Sequence, residues 1–497
     1  MPPRSLARRL SPLPRHIRLV TMAGFADRFA IYNDDQCRKI AEIIGRVETD
    51  NIRTVRIGFA DQHGVIRGKS FAASQIGALF ESGMTAPSSL LLKDLSHRTV
   101  LPVWQNESTG LAGLAGLGDI ILMPDPDRFF TLDWLADTAW IQADIHHTDG
   151  TASPLDTRAI ARRAVSRLED AGYIFNAGLE IEAHVYRLAG GELSAGDIGQ
   201  PGSPPDVAPL NRGYQLLTEH YADGLEPVAD IIRRCADGLD IPLRSIEVEF
   251  GPSQIEFTCG VRSGTGAADD MVLLRSALRQ MLARHGYHIS FMCRPGIEGS
   301  FASGWHLHQS LSDRAGKNMF VPADGQTPSP AAAAWVAGLL HHAPAMTLFA
   351  VPTITGYKRF QAHSLAPERV SWSHDGRGAL IRALWGTEDA ASRIENRGGE
   401  PAANPYLYLA SQIFAGQDGL ASGLALPAMA TDAYDVELPK LPQSLAAAID
   451  LTDSNSFVRD AFGDLFIDVY GALKRAEISR HDAHVNDWEH REYFAAF

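Results

Sequence analysis

The stretch SIEVEFGPSQIEFTC, residues 245–259, decides how the rest of the chain is read. Glu247, Glu249 and Glu256 alternate with Ile246, Val248, Ile255 and Phe257, and Gly251-Pro252-Ser253 supplies a turn between the two halves. Successive side chains of a strand point to opposite faces, so this alternation predicts paired strands with one apolar and one acidic face. Three other stretches repeat the pattern. GLEIEAHVY (178–186) places Glu180, Glu182 and His184 on one face. SGWHLHQSL (303–311) places His306 and His308 together and turns Leu307 away, and SRIENR (392–397) does the same for Arg393, Glu395 and Arg397. One such pattern ordinarily means a strand with a solvated side. Four on otherwise apolar strands suggest convergence. Two unit charges about 5 Å apart repel by roughly 3 kcal/mol at an effective dielectric near 20. Several such pairs would overwhelm a typical stability of ~5–15 kcal/mol, so converging carboxylates need cations. Carboxylates with a single histidine suit Mg²⁺ or Mn²⁺ better than a structural zinc.

A basic set accompanies the acids: Arg359 in YKRF, Arg377 and Arg382 in GRGALIRA, and Arg393 and Arg397 in SRIENR. Guanidinium forks bind phosphate and carboxylate in bidentate fashion. The alternative is a set of surface salt bridges. Metal-binding acids beside phosphate-binding arginines point to ATP-dependent phosphoryl transfer. Neither G-x-G-x-x-G nor a Walker motif is present, so ATP would bind by another architecture.

Working outward, the 497 residues carry 45 basic and 59 acidic side chains, a formal net charge of −14. That balance argues against a nucleic-acid partner and against anionic membrane surfaces. No apolar run approaches the ~18 residues of a membrane span. Ala331 to Val351, the most apolar stretch, carries His341, His342 and Pro344 and reads as a core helix followed by a loop. Cys37, Cys235, Cys259 and Cys293 form no C-x-x-C and read as buried thiols of a cytoplasmic protein. The first 26 residues contain five arginines and no acid. They resemble a transit peptide, an arm, or leader sequence before a start at Met22. Residues 35–49 have helical spacing, and the strand-like 52–61 turns back at Gly64. Residues 85–104 look like loop. HTDGTASP (147–154) is the best boundary, and Asp156 caps a helix ending at Gly172. The arm is placed at 1–30 and the units at 31–150 and 151–497. Residues 190–209 read as a surface excursion.

The motifs G-x-E-x-E, E-x-G-P-x-Q-x-E, S-G-x-H-x-H-x-S-L and R-x-E-x-R…NPY occur in the order seen in the glutamine synthetase superfamily, which the chain resembles from about residue 35 to 495. The resemblance implies an α+β fold: a small N-terminal β-grasp domain and a large catalytic domain with a curved antiparallel sheet. It also implies a homo-oligomer, a dodecamer of two six-subunit rings, with a funnel shared between neighbours. By position, Glu182, Glu249 and Glu256 would hold one divalent metal, and Glu180, His306 and Glu395 a second. His308, Ser310, Arg382 and Arg393 match ATP contacts. Arg359 and Arg397 match the arginines for glutamate, and Arg377 the one for the transferring phosphoryl group. The implied chemistry is attack of the glutamate γ-carboxylate on ATP, then displacement of phosphate by an amine.

The departures concern the amine. The family's F-D-G-S-S reads T-A-P-S-S here, with Ala86 in place of the ammonium-binding aspartate. The K-R-x-x-P-G-x-E-A-P glutamate is replaced by Leu365, and N-G-S-G-M-H reads F-A-S-G-W-H, introducing Phe301 and Trp305. A desolvated ammonium needs a carboxylate partner. Ala86, Phe301, Trp305 and Leu365 therefore predict a hydrophobic amine, as in the γ-glutamylanilide and γ-glutamylalkylamide synthetases. Asp61 or Asp94 could supply a replacement acid. A polyamine or ethanolamine, ammonium, and a non-catalytic role are the alternatives. Tyr434 lies near a position adenylylated in some bacterial members, but its surroundings match poorly.

Overall fold

The structure, a computed structural model, describes residues 23–101, 118–191, 193–325, 327–361, 364–386 and 389–497. The arginine-rich residues 1–22, and with them the start at Met22, lie outside the described residues. Within the stretch placed as an arm, α1 (Phe25–Phe29) is a short helix. α2 (Asp34–Thr49) opens with a capping box in which Asn33 accepts from the Gln36 amide and Gln36 accepts from that of Asn33.

β1 (Thr54–Ala60) and β2 (Ile66–Ala72) form the expected hairpin. Gly64 at φ +71 permits its turn, and a Cβ there would lie 2.6 Å from Arg275 Nη2. After α3 (Ile76–Ser82) come β3 (Met84–Pro87), β4 (Asp119–Thr131) and β5 (Thr138–His146). Residues 84–87 are thus a strand, followed by a 3₁₀ turn, within the stretch read as loop. These strands make a five-stranded sheet in the order β2-β1-β5-β4-β3, with β1 and β5 parallel at its centre, a β-grasp arrangement.

Asp156 caps α4 (Thr157–Asp170) by accepting from the amides of Arg158 and Ala159. The second sheet is built from β6 (Ile174–Leu188), β7 (Val207–Pro209), β8 (Leu243–Val248), β9 (Gln254–Ser263), β10 (Tyr287–Ser290), β11 (Trp305–Ser312), β12 (Trp372–His374), β13 (Ile381–Leu384) and β14 (Arg393–Gly399). Its main path runs β12-β13-β14-β11-β6-β9-β8, with β7 and β10 also on β6. The pairing is antiparallel except for β12–β13, which is parallel. Residues 190–209 thus include a strand, β7, on the sheet.

Behind this sheet lie α5 (Glu219–Gly238), α6 (Gly266–Arg284), α7 (Pro330–Ala350) and α8 (Pro405–Ser422). α9 (Leu445–Asp453), α10 (Ser456–Phe462), α11 (Asp464–Asp482) and α12 (Asp487–Tyr493) complete the chain. α7 is the expected core helix and runs through Pro344. Its apolar residues are buried on nearly all sides, and His342 satisfies its ring by hydrogen bonding to Asp418. All four cysteines are free; three are buried, but Cys37 is exposed on α2.

Candidate active site

The alternation read from the sequence becomes one acidic face across five adjacent strands, β14, β11, β6, β9 and β8. Register decides who meets whom. His306 on β11 lies opposite Glu180 on β6, His308 lies opposite Glu395 on β14, and Glu395 lies opposite Arg382 on β13. On the other side, Glu182 faces Glu256 on β9, and Glu256 faces Glu247 on β8. Glu249 follows β8 directly and accepts from the Phe250 amide at 2.9 Å.

The hydrogen bonds fix both histidine tautomers. His306 Nδ1 donates to Glu180, while its Nε2 faces the Arg359 guanidinium at 3.5 Å and therefore accepts. His308 Nε2 donates to Glu180 at 2.9 Å, and its Nδ1 accepts from Arg393 Nε at 3.1 Å. Burial and the nearby Arg397 push the His306 pKa down to about 4, so the ring is neutral at pH 7. Burial opposes ionisation of Glu180, but hydrogen bonds from His306 and His308 outweigh it and hold Glu180 well below the usual carboxylate range. Glu395 is fully buried and lowered too, with His306 and Arg397 overcoming desolvation. It accepts from Arg397 and, at 3.1 Å, from Arg382.

The remaining acids are under strain of charge. Glu182 is pushed up to about 8 by burial and by Glu249. Glu256 is pushed up to about 10 by burial and by Glu180, Glu182 and Glu249. Glu249 is raised by burial and by Glu247. Carboxylates held this far from ionisation are what a divalent cation would relieve. Among the described residues, two ligand groups have donor atoms within 4.8 Å of one another: Glu180, Glu256 and His306; and Glu180, His308 and Glu395. Glu180 belongs to both groups, and the register also sets Glu256 opposite Glu182. The oxygen-rich donor set fits a hard cation such as Mg²⁺ or Mn²⁺.

Gln254, which the motif contained without a stated role, is fully buried. It donates to Glu182 at 3.0 Å, and the Gly304 amide donates to the same oxygen at 2.9 Å. Their pairing could not be read from spacing, because they lie about fifty residues apart. A Cβ at Gly304 would lie 2.6 Å from Arg359 Nη2. Arg359 gives hydrogen bonds to the carbonyls of Arg397, Gly398 and Gly399 and is buried beside His306. It therefore also pins β14. Ser310 is half-buried on β11, and Arg377 is exposed in the turn before β13.

The four residues expected around the amine do not gather in one chain. Trp305 is a correction: it is 1% exposed and packs edge-to-face on Tyr408 of α8 at 5.1 Å, behind the sheet. Alternation requires this, since Trp305 and Leu307 share the face opposite His306. Ala86 faces the core of the five-stranded sheet. Leu365 is 57% exposed at φ +60, and its neighbours Ala362 and His363 are outside the described residues. Phe301 is half-buried and contacts Phe250, centroids 5.1 Å apart, and Phe250 meets Tyr214 edge-on at 5.6 Å. This aromatic group flanks Glu249; of its members only Phe301 was singled out in the sequence. Neither candidate replacement acid is free: Asp61 pairs with Arg67 at 2.8 Å and Asp94 with Arg480 at 2.7 Å.

Residues 154–493 match the model of the glutamine synthetase catalytic domain. The chain is 38% identical to a γ-glutamylanilide synthase of Acinetobacter sp., over 95% of this chain and 98% of that one. It is 30% identical to the γ-glutamylethanolamide synthetase GlnA4 of Streptomyces coelicolor, covering 92% and 95% of the two chains. It is 29% identical to a glutamate–isopropylamine ligase of Pseudomonas sp., covering 93% and 99%. The solved structure of apo GmaS superposes with a TM-score of 0.76 at 22% identity, over 91% of this chain and 99% of that chain, which establishes the likeness of fold. The chain belongs to the glutamine synthetase family. It is accordingly an ATP-dependent carbon–nitrogen ligase.

Proposed function

We propose that this ligase joins the γ-carboxylate of glutamate to an organic amine with an apolar body, of the aniline or small alkylamine kind. The supporting observation is the fate of the acids: Ala86 and Leu365 stand where the family's ammonium-binding acids stand, and Asp61 and Asp94 are already engaged by Arg67 and Arg480. An ammonium ion would lose water without gaining a carboxylate. An aniline is neutral at pH 7 and needs no such partner. The aromatic group beside Glu249 offers it a surface.

Glu182, Glu249 and Glu256 would hold one Mg²⁺ or Mn²⁺, and Glu180, His306 and Glu395 the other. Such ions neutralise phosphate charge and orient an in-line transfer. Arg359 and Arg397 hold glutamate. Ser310, His308, Arg382 and Arg393 hold ATP, and Arg377 stabilises the transferring phosphoryl group. The γ-carboxylate takes the ATP γ-phosphoryl group, giving γ-glutamyl phosphate and ADP. The amine nitrogen then attacks the carbonyl carbon, phosphate leaves, and the nitrogen loses a proton. We further propose a cytoplasmic homo-oligomer, a dodecamer of two rings, in which a neighbour's five-stranded sheet brings its β3 edge, with Ala86, to the site.

The test is phosphate release from ATP with Mg²⁺ and glutamate, comparing ammonium, isopropylamine, aniline and putrescine, with product mass checked. Turnover with aniline or isopropylamine and little with ammonium is expected. Equal or better turnover with ammonium or putrescine would overturn the apolar-amine reading, and none with any amine would overturn the ligase roles of these residues.

A further inference from the structure

A cavity of about 920 Å³ lies away from the acidic face, bounded by the β1–β2 turn, α6, β10 and α11. It thus sits where the five-stranded sheet meets the catalytic sheet's helices. Six basic side chains line it: His63, Arg275, Arg279, Arg284, His288 and Lys474. No carboxylate lines it among the described residues. Val272, Phe291 and Tyr470 contribute apolar wall.

Two of the six are already committed. Arg275 donates to the carbonyls of Gly64, Pro401 and Ala403, and the buried Lys474 is held by Glu477 at 3.2 Å. The others are available. Arg279 and Arg284 form no ion pair among the described residues, and Arg284 donates only to the Gln280 carbonyl. His63 is 8% exposed, and its Nε2 donates to the Lys93 carbonyl at 3.0 Å. Its Nδ1 is buried with no hydrogen-bond partner. Burial and then Lys474 depress the His63 pKa, while burial and then Arg279 depress that of His288. Both imidazoles are thereby held toward the neutral form, which leaves Arg279 and Arg284 as the cavity's uncommitted cations. A chain with a net charge of −14 has no general excess of cations to explain this.

We propose that this cavity binds a small organic anion, a carboxylate or phosphate carried on an apolar body, with Arg279 as the chief exposed anchor. The volume is that of an ordinary small-molecule site. The anionic group would meet Arg279 and His288, and the apolar body would lie against Val272, Phe291 and Tyr470. Such a ligand touches both sheets' elements and would brace them together.

The test uses the full chain and isothermal titration calorimetry with benzoate, inorganic phosphate and uncharged benzamide. Benzoate should bind, phosphate should bind more weakly, and benzamide should not bind. Arg279→Glu should weaken benzoate about tenfold or more, while Arg279→Lys should retain most of the affinity. Phosphate release without benzoate should be the same in both variants as in the wild type, since Arg279 lies outside the acidic face. No heat with benzoate, equal binding of benzamide, or an unchanged dissociation constant in Arg279→Glu would each overturn the proposal. Phosphate binding as tightly as benzoate would remove the apolar body from it.

Discussion

Glu395 is enclosed by Arg382, Arg397 and His306, so a change there acts on charge and on metal binding at once. Glu395→Ala leaves the buried Arg397 guanidinium without its acid and Arg382 with Asp375 alone, a cost of about 3–5 kcal/mol by analogy with other broken buried pairs. Glu395→Gln keeps the volume and separates stability from chemistry. Both should lose phosphate release, and only the alanine variant should lose much stability in thermal unfolding; normal turnover in either would remove Glu395 from the site. Leu365 carries a different prediction. A leucine at φ +60 is conformationally costly, so the position is held by its surroundings. Leu365→Glu should raise the turnover of putrescine relative to aniline, and an unchanged ranking would take Leu365 out of the amine path. The sequence yielded the acids and histidines because period-two alternation is unambiguous on apolar strands. The same rule places Trp305 behind the sheet beside Leu307; motif alignment had set it in the pocket. Which acid pairs with which histidine was not legible, because register between strands 126 residues apart in sequence, as for Glu180 and His306, is set by tertiary packing.

At the level of elements, Arg158 at the start of α4 ties three pieces together. Its guanidinium reaches Asp125 on β4 at 2.7 Å, Asp144 on β5 at 2.9 Å and Asp269 on α6 at 2.8 Å. Asp269 also accepts from the Tyr406 hydroxyl at 2.7 Å on α8. Arg158→Ala would leave the buried Asp269 without its cation, while Asp125 and Asp144 keep Arg162, and should cost about 3–5 kcal/mol in urea unfolding, with loss below 1 kcal/mol contradicting its bridging role. The α7–α8 contact rests on closeness instead of charge. A Cβ at Gly338 would lie 2.1 Å from the Ala415 carbonyl oxygen, and one at Gly419 equally near that of Ala334. Gly338→Ala should therefore destabilise by about 1–3 kcal/mol despite its gain in helix propensity, and a stabilised variant would show that the helices can separate freely. Neither feature is visible in sequence. The three aspartates and Arg158 are scattered over 145 residues, and a helical glycine reads only as a weak point. Helix α2, by contrast, was legible to within a residue, because its apolar spacing is local.

On the scale of the whole molecule, the formal charge of −14 treats every carboxylate as ionised, and the acidic face contradicts that for the metal-free chain. Glu182 and Glu256 are pushed up to about 8 and about 10 by burial and by neighbouring carboxylates, against an unfolded value near 4.5. Between those values the folded chain holds protons that the unfolded chain has released. Their contribution to stability is complete below about pH 4.5 and is lost as the pH rises through 8 and beyond. Asp156, raised to about 6, and Glu400, raised to about 7, slope the same way by burial, but they lie outside the acid face and should not respond to metal. A divalent cation requires ionised ligands, so its binding must expel the protons on Glu182 and Glu256. The expected result is a thermal midpoint that falls from pH 6 to pH 8 in chelator, with Mg²⁺ raising it more at pH 8 than at pH 6. Calorimetric titration with Mg²⁺ at pH 7 in two buffers of different ionisation enthalpy should show net proton release. The difference between loaded and chelated chain cancels Asp156 and Glu400 and isolates the acidic face. A Mg²⁺ effect that is equal at both pH values, with no proton release, would mean that the raised carboxylates are not the ligands.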